Sequence, residues 1–77
     1  MKKVQILGTG CAKCQKLTEN AAQAARTLGV TVELEKVTDM AEIMKFGVLS
    51  TPGLVIDGKL IASGKLLAPD EIIPHLR

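Results

Sequence analysis

Residues 3–14 have the sequence KVQILGTGCAKC and join a strand-like run to the two cysteines of a 77-residue chain. Residues 3–7 alternate and are rich in branched aliphatic side chains, which predicts a β-strand that ends in the Gly-Thr-Gly turn of residues 8–10. Apolar residues recur at helical spacing from Cys14 onward, which predicts a helix. Cys11 and Cys14 therefore lie where a strand leads through a loop into a helix.

The spacing of the two cysteines favours redox chemistry. Thiols three positions apart close a disulfide only if they share one turn, and a loop before a helix provides that geometry. Unpaired N–H groups and the positive dipole end at a helix start favour a thiolate. We expect Cys11 to be the reactive sulfur and Cys14, one turn further in and more buried, to be the resolving thiol. Lys13 adds a positive charge between them and has a minor role.

The helix after the cysteines has two faces and ends at Gly29. Its apolar face comprises Cys14, Leu17, Ala21, Ala24 or Ala25, and Leu28, and its polar face comprises Gln15, Lys16, Glu19, Asn20, Gln23 and Arg26. Residues 30–37 alternate again and predict a second strand. The resulting βαβ unit should have parallel strands and a right-handed crossover.

A short helix is predicted next, with Asp39 as its capping residue and its end near Gly47. Met40, Ile43 and Met44 share one face of this helix. We interpret them as core residues or as a small association patch, and we assign them no chemistry.

A hairpin and a last helix complete the chain. Asp-Gly at residues 57–58 separates the apolar runs 54–56 and 60–62, a pattern typical of a tight antiparallel hairpin. Pro69 fits the first position of a helix, and Pro74 should bend or shorten that helix. The predicted order is βαβαββα.

Composition limits the possible functions. The length predicts one domain, residues 1–77, and 47% hydrophobic with 23% charged residues is typical of a folded globular protein. A net charge of +2 and a single aromatic residue, Phe46, disfavour a nucleic-acid partner. We expect a monomer.

The chain has no obvious targeting segment. The apolar run 4–7 is too short for a signal peptide, and no stretch approaches membrane-spanning length. We therefore expect a cytoplasmic protein without a membrane partner, where a cysteine pair is more often catalytic, redox-sensing or metal-binding than structural. A cross-link over four residues would also stabilise the fold only slightly.

Cofactor and metal sites have little support in the sequence. Structural zinc needs four ligands, and the chain offers only Cys11, Cys14 and the distant His75. A two-thiolate site for a soft ion such as Cu(I) stays open as an alternative. Residues 8–10 lack the third glycine of a dinucleotide loop, so we expect no cofactor. We interpret these glycines as giving a partner's backbone close access to the sulfurs.

Thr51 and Pro52 form the second informative site. They precede the third strand, near the mouth of the first strand–helix turn and therefore near the cysteines. A cis bond there would keep a metal from entering on that side and would turn the Thr51 backbone toward an incoming chain, which could then pair as an added strand. The candidate substrate-binding residues are Thr51, Pro52, Gly10 and Lys13.

Three features together carry a family resemblance: the dithiol after the first strand, Ser-Thr-Pro at residues 50–52, and Val-Ile-Asp-Gly-Lys at residues 55–59. Throughout its length the chain resembles the minimal thioredoxin-like proteins, the redox-active disulfide protein 2 family. The resemblance implies an α/β thioredoxin-like fold with a four-stranded mixed sheet flanked by three helices. It also implies that Cys11 is the nucleophile, Cys14 the resolving cysteine and Pro52 a cis-proline facing them.

The expected function is thiol–disulfide oxidoreduction of protein disulfides, with a reductase or another thiol donor as the second partner. The residues Ala-Lys between the cysteines, and the lack of Trp and Tyr, differ from ordinary thioredoxins, so their substrate range is not carried over. Two alternatives use the same cysteines. One is a copper-type metal carrier like the heavy-metal-associated domain, whose order is βαββαβ, and the other is a non-enzymatic redox sensor.

Overall fold

A computed structural model describes residues 2–9, 12–48 and 50–77. Its helices and strands follow the predicted order βαβαββα. They are β1 (Lys2–Leu7), α1 (Ala12–Leu28), β2 (Val32–Val37), α2 (Met40–Lys45), β3 (Gly53–Ile56), β4 (Lys59–Ser63) and α3 (Pro69–Leu76).

The four strands form one mixed sheet in the order β2-β1-β3-β4. β1 runs parallel to β2 and antiparallel to β3, and β3 pairs antiparallel with β4. The parallel β1–β2 pair confirms the predicted βαβ unit. β1 and β3 are the two central strands, and β3 is buried along its whole length.

Each face of the sheet packs against helices. Alternate residues of β1 point to opposite faces, so that Val4 and Ile6 lie under α1 and α3 whereas Leu7 lies on the side of α2. The larger cluster is made of Val4, Ile6, Leu17, Ala21, Ala24, Ala25, Leu54, Ile56, Leu67, Ile72 and Leu76. The smaller one contains Leu7, Ile43 and Val55. No helix in the described parts of the chain is both long and apolar enough to span a membrane.

The predicted apolar face of α1 is confirmed, but one residue of the predicted polar face is buried. Asn20 is only 7% exposed, and its Nδ2 atom donates a hydrogen bond of 2.9 Å to the carbonyl oxygen of Leu67. The segment before α3 covers this side of α1, so that a polar side chain lies in a packed interface. The amide is satisfied there because it meets a backbone carbonyl.

β2 begins two residues later than predicted. The N–H groups of Gly29 and Val30 both donate to the carbonyl oxygen of Ala25, at 2.9 and 3.0 Å, and thereby close the end of α1. Val30 is therefore part of the helix terminus, not of the strand. β2 is also an edge strand, which explains why Leu34 stays 37% exposed despite its apolar character.

α2 is capped as predicted, because the Asp39 side chain accepts a hydrogen bond of 2.9 Å from the Ala41 N–H. Ile43 is buried, but Met40 and Met44 are 54% and 69% exposed. The core interpretation is therefore wrong for both methionines. A helix of six residues presents only a narrow stripe to the sheet, and Ile43 fills it.

The hairpin and the start of the last helix match the predictions, whereas Pro74 does not shorten the helix. Asp57 and Gly58 have φ values of 51° and 81°, both in the left-handed region that a two-residue type I′ turn requires. α3 begins at Pro69, where the missing N–H costs no helical hydrogen bond. Pro74 lies inside the helix, which continues to Leu76.

Candidate active site

Three segments meet at the end of the sheet where β1 leads into α1. Leu7, the last residue of β1, pairs with Gly53, the first residue of β3. Consequently Gly8, just after β1, and Pro52, just before β3, are brought to the same end of the sheet. The first turn of α1 also starts there, so that Cys14 and the Thr-Pro segment become neighbours.

Gly8 and Cys14 are in close contact. Cys14 is only 5% exposed, and a Cβ atom added to Gly8 would overlap its Sγ atom. The same Cβ position lies 3.9 Å from the Cβ atom of Thr51. Gly8 therefore lies between Cys14 and Thr51 and leaves the room that the sulfur occupies. We interpreted this glycine as giving access to a partner's backbone, but it is the chain's own Cys14 that fills the space.

The start of α1 favours negative charge. The helix begins at Ala12, and its first turn contains no acidic side chain that would compensate the positive end of the dipole. Lys13 is exposed in this turn. One turn further on, the Thr18 hydroxyl donates a hydrogen bond of 2.9 Å to the Cys14 carbonyl oxygen, which ties the cysteine to the helix.

The peptide bond between Thr51 and Pro52 is cis, which is the form that the family resemblance implied. Pro52 is buried, and its carbonyl oxygen accepts a hydrogen bond of 2.8 Å from the Gly64 N–H. The Ser63 hydroxyl donates to the Ser50 carbonyl oxygen at 3.2 Å. Both hydrogen bonds fix the segment before β3 to the end of β4 and leave Thr51 exposed beside Gly8.

Four of the six predicted site residues are described by the structure. Lys13 and Cys14 lie in the first turn of α1, and Thr51 and Pro52 lie in the adjacent loop. Gly10 and Cys11 lie outside the described residues. Among the described residues, no three His, Cys, Asp or Glu side chains are grouped in a way that could hold a metal ion.

A small cavity next to Cys14 was not expected from the sequence. It has a volume of about 70 Å³ and is lined by Cys14 and Thr18 from α1, by Lys36 of β2 and by Thr38, which follows β2. Lys36 pairs with Ile6 across the parallel strands and so leaves the sheet on the side of α1. Whether Lys36 lies near Cys14 depends on the β1–β2 register, which sequence patterns do not reveal.

The fold and the cis-proline loop beside a helix-start cysteine define a protein of the thioredoxin-like class. A solved structure of thioredoxin-2, described as a component of malaria parasite protein secretion machinery, superposes with a TM-score of 0.72. The match covers 99% of this chain and 81% of that one at 17% identity, so the likeness is one of fold.

Sequence comparisons identify the family. Residues 2–77 match the family described as Thioredoxin domain, and the chain belongs to that family. It is 44% identical over 72 residues to a thioredoxin of Methanothermobacter thermautotrophicus, covering 94% of each chain. A thioredoxin of Methanocaldococcus jannaschii is 39% identical over 74 residues, which are 96% of this chain and 85% of the relative.

Proposed function

We propose that this chain is a thiol–disulfide oxidoreductase that acts on protein disulfides as a single thioredoxin-like domain of residues 1–77. The observation that carries the proposal is the packing of Cys14, in the first turn of α1, against Gly8 and beside the exposed Thr51. A disulfide held at this place is next to a surface where another chain could lie. The two relatives named thioredoxin support the same activity.

Cys11 is the attacking thiol in the proposed mechanism. It precedes the helix start, where free N–H groups and the nearby Lys13 favour its thiolate. Attack on a substrate disulfide forms a bond between Cys11 and one substrate sulfur, and the other substrate sulfur leaves with the electron pair and is protonated by solvent.

Cys14 completes the reaction. Its thiolate attacks the Cys11 sulfur, so that a Cys11–Cys14 bond forms while the bond to the substrate breaks. The protein dithiol loses two electrons and the substrate disulfide gains them. A reductase or another thiol donor must then reduce the bridge before the next turnover.

Thr51 provides the proposed docking point for the substrate. Its side chain is exposed, and its backbone has no hydrogen-bond partner among the described residues. An extended substrate segment could pair with this backbone as an added strand, with Gly10, Lys13 and Pro52 around the sulfur.

The proposed oligomeric state is a monomer in the cytoplasm. β2 is the edge strand next to β1, and a second copy could add to it only in an antiparallel continuation of the sheet. Two registers pair most of β2. In one of them, Glu33 of each copy would lie opposite Glu35 of the other copy. In the second register, the Glu35 residues of the two copies would lie opposite each other. Like charges directly opposite each other destabilise such pairing.

The test uses the purified reduced protein, a dithiol reductant and a protein disulfide substrate such as insulin. The parent chain should accelerate disulfide reduction, and Cys11→Ser should abolish this rate enhancement. Cys14→Ser should accumulate a mixed disulfide with the substrate, detected by mass under non-reducing conditions. The Cys11→Ser, Cys14→Ser double variant is the control and should form no adduct.

Two results would contradict the proposal. Equal amounts of adduct in both single variants would overturn the assignment of the nucleophile. A parent chain without turnover that binds about one equivalent of Cu(I) would favour the metal-carrier alternative. The observed order βαβαββα already differs from that of the heavy-metal-associated domain.

A further inference from the structure

The end of β4 lies directly against the loop that carries Thr51. Ser63, the last residue of β4, pairs with Gly53, the first residue of β3. One residue further on, the Gly64 N–H donates a hydrogen bond of 2.8 Å to the Pro52 carbonyl oxygen. Proline has no N–H to return such a bond. Among the described residues, no backbone hydrogen bond from β4 reaches the chain before Pro52.

The side chain of Ser63 anchors that part of the chain instead. Its hydroxyl group donates a hydrogen bond of 3.2 Å to the Ser50 carbonyl oxygen. The same oxygen accepts a hydrogen bond of 3.4 Å from the Ser50 N–H. A hydroxyl group can donate and accept at the same time, so one side chain binds both backbone polar groups of the residue before Thr51.

The position of Gly64 shows independently how closely β4 approaches residue 50. Gly64 has a φ angle of 70°, in the left-handed region that glycine adopts without strain. A Cβ atom at this residue would overlap the Oγ atom of Ser50. The chain after β4 therefore leaves just enough room for Ser50.

Thr51 lies between two anchored residues. Ser50 is held by the Ser63 side chain, and Pro52 is held by the Gly64 N–H. Thr51 itself is exposed. A polypeptide that adds to a protein as a strand binds through main-chain hydrogen bonds. Such binding costs less when the receiving backbone is already held in its bound orientation.

We propose that Ser63 is a positioning residue that holds the Thr51 backbone in the orientation in which a polypeptide disulfide substrate pairs with it. The inference rests on the proposed function and adds a reason for its substrate class. Ser63 favours disulfides within an extended polypeptide over small disulfides that have no backbone amides. It acts through Thr51 and takes no part in the exchange of sulfur bonds.

The experiment compares two disulfides, only one of which has a peptide backbone. Reduced protein is mixed with an excess of insulin or of hydroxyethyl disulfide, without a second reductant, and thiol alkylation followed by mass measurement gives the oxidised fraction. Ser63→Ala should raise the half-saturating insulin concentration by about fivefold, the order expected for the net loss of one hydrogen bond. The plateau rate with insulin and the rate with hydroxyethyl disulfide should stay at the parent values.

Two further variants are the controls. Ser63→Thr keeps the hydroxyl group on a residue that suits a strand, and it should restore the parent behaviour with insulin. Thr27→Ala removes an exposed hydroxyl group at the far end of α1 and should change neither reaction. Circular dichroism should show the same fold for all variants, because residues 27 and 63 are exposed.

The mobility of the Thr51 backbone provides a second measurement that needs no substrate. Relaxation of the amide nitrogen in NMR reports motion on the picosecond to nanosecond timescale. In Ser63→Ala, Thr51 should be more mobile than in the parent chain. In Ser63→Thr it should be as ordered as in the parent.

The outcomes separate the two proposals. An unchanged half-saturating insulin concentration in Ser63→Ala would overturn the role of Ser63, and so would an equal loss of rate with both disulfides, which indicates general damage to the site. The oxidoreductase function would stand in both cases. A parent chain that neither disulfide oxidises would overturn the proposed function and the inference together.

Discussion

Gly8 packs so closely against Cys14 that a single methyl group at residue 8 would overlap the sulfur atom. Its φ angle is not in the left-handed region, so the backbone itself would accept alanine without strain. The requirement for glycine is therefore one of space. Gly8→Ala should destabilise the fold by about 1–3 kcal/mol through overpacking, measured by chemical denaturation of the reduced protein.

A double-mutant cycle identifies the cause. Cys14→Ala removes the sulfur, so that Gly8→Ala should cost much less in that background. Equal losses of stability in the two backgrounds would show that residue 8 is constrained by something other than Cys14.

Asn20 joins α1 to the segment before α3 through its hydrogen bond to the Leu67 carbonyl oxygen. Asn20→Ala should lower the free energy of unfolding by about 1–3 kcal/mol, because it leaves a carbonyl without its partner in a packed interface. Asn20→Asp should be worse, since a carboxylate has no N–H to donate. Gln23→Ala, at an exposed position of the same helix, is the control. Similar unfolding midpoints for Asn20→Ala and Gln23→Ala would refute the role of the hydrogen bond.

Truncation to alanine should lower the stability of the fold strongly at one residue of α2 and hardly at all at its neighbour. Ile43→Ala should cost about 2–5 kcal/mol because Ile43 is buried against Leu7 and Val55. Met44→Ala should change stability by less than about 0.5 kcal/mol, because Met44 is 69% exposed. Urea denaturation of both variants measures the contrast. A large loss in Met44→Ala would instead support the core interpretation, one of the two that the sequence pattern left open.

The sequence predicted helices and strands most accurately where the apolar spacing continues over many residues or where the turn residues are specific for one turn type. α1 was predicted with its end at Gly29 because its apolar spacing continues over several turns, and the hairpin because Asp57 and Gly58 suit a type I′ turn. Errors arose where tertiary packing decides burial. Asn20 is covered by a segment distant in sequence, and Met44 is left uncovered because α2 is short.

The neighbourhood of the cysteines was only partly predictable. Chain order placed Thr51 near the first strand–helix turn, because β1 and β3 were both expected in the sheet. The contact between Gly8 and Cys14 depends on how α1 leaves the sheet, and the position of Lys36 depends on the β1–β2 register. Neither this contact nor this position can be predicted from a local pattern of residue types.

Asp57 fastens the hairpin turn to the start of β1, and this contact should make stability depend on pH. Its carboxylate accepts a hydrogen bond of 2.8 Å from the Lys3 N–H and faces the Lys2 ammonium at 3.4 Å. The Lys3 N–H, and secondarily Lys2, lower the pKa of Asp57 below its ordinary value. A carboxyl group with a lowered pKa in the folded state contributes stability above its unfolded pKa of about 3.9, and this contribution disappears as the pH falls through the folded value.

Asp57→Asn isolates that contribution, because asparagine keeps an oxygen for the Lys3 N–H and tolerates the left-handed backbone of residue 57. The variant should be less stable than the parent at pH 7, and the difference should shrink steadily below about pH 4. Lys2→Met is the matched control and should have a smaller effect, since the backbone hydrogen bond is the larger cause. Thermal unfolding from pH 2 to pH 8 measures both variants. A stability difference that stays constant across this range would show that the charge of Asp57 does not stabilise the turn.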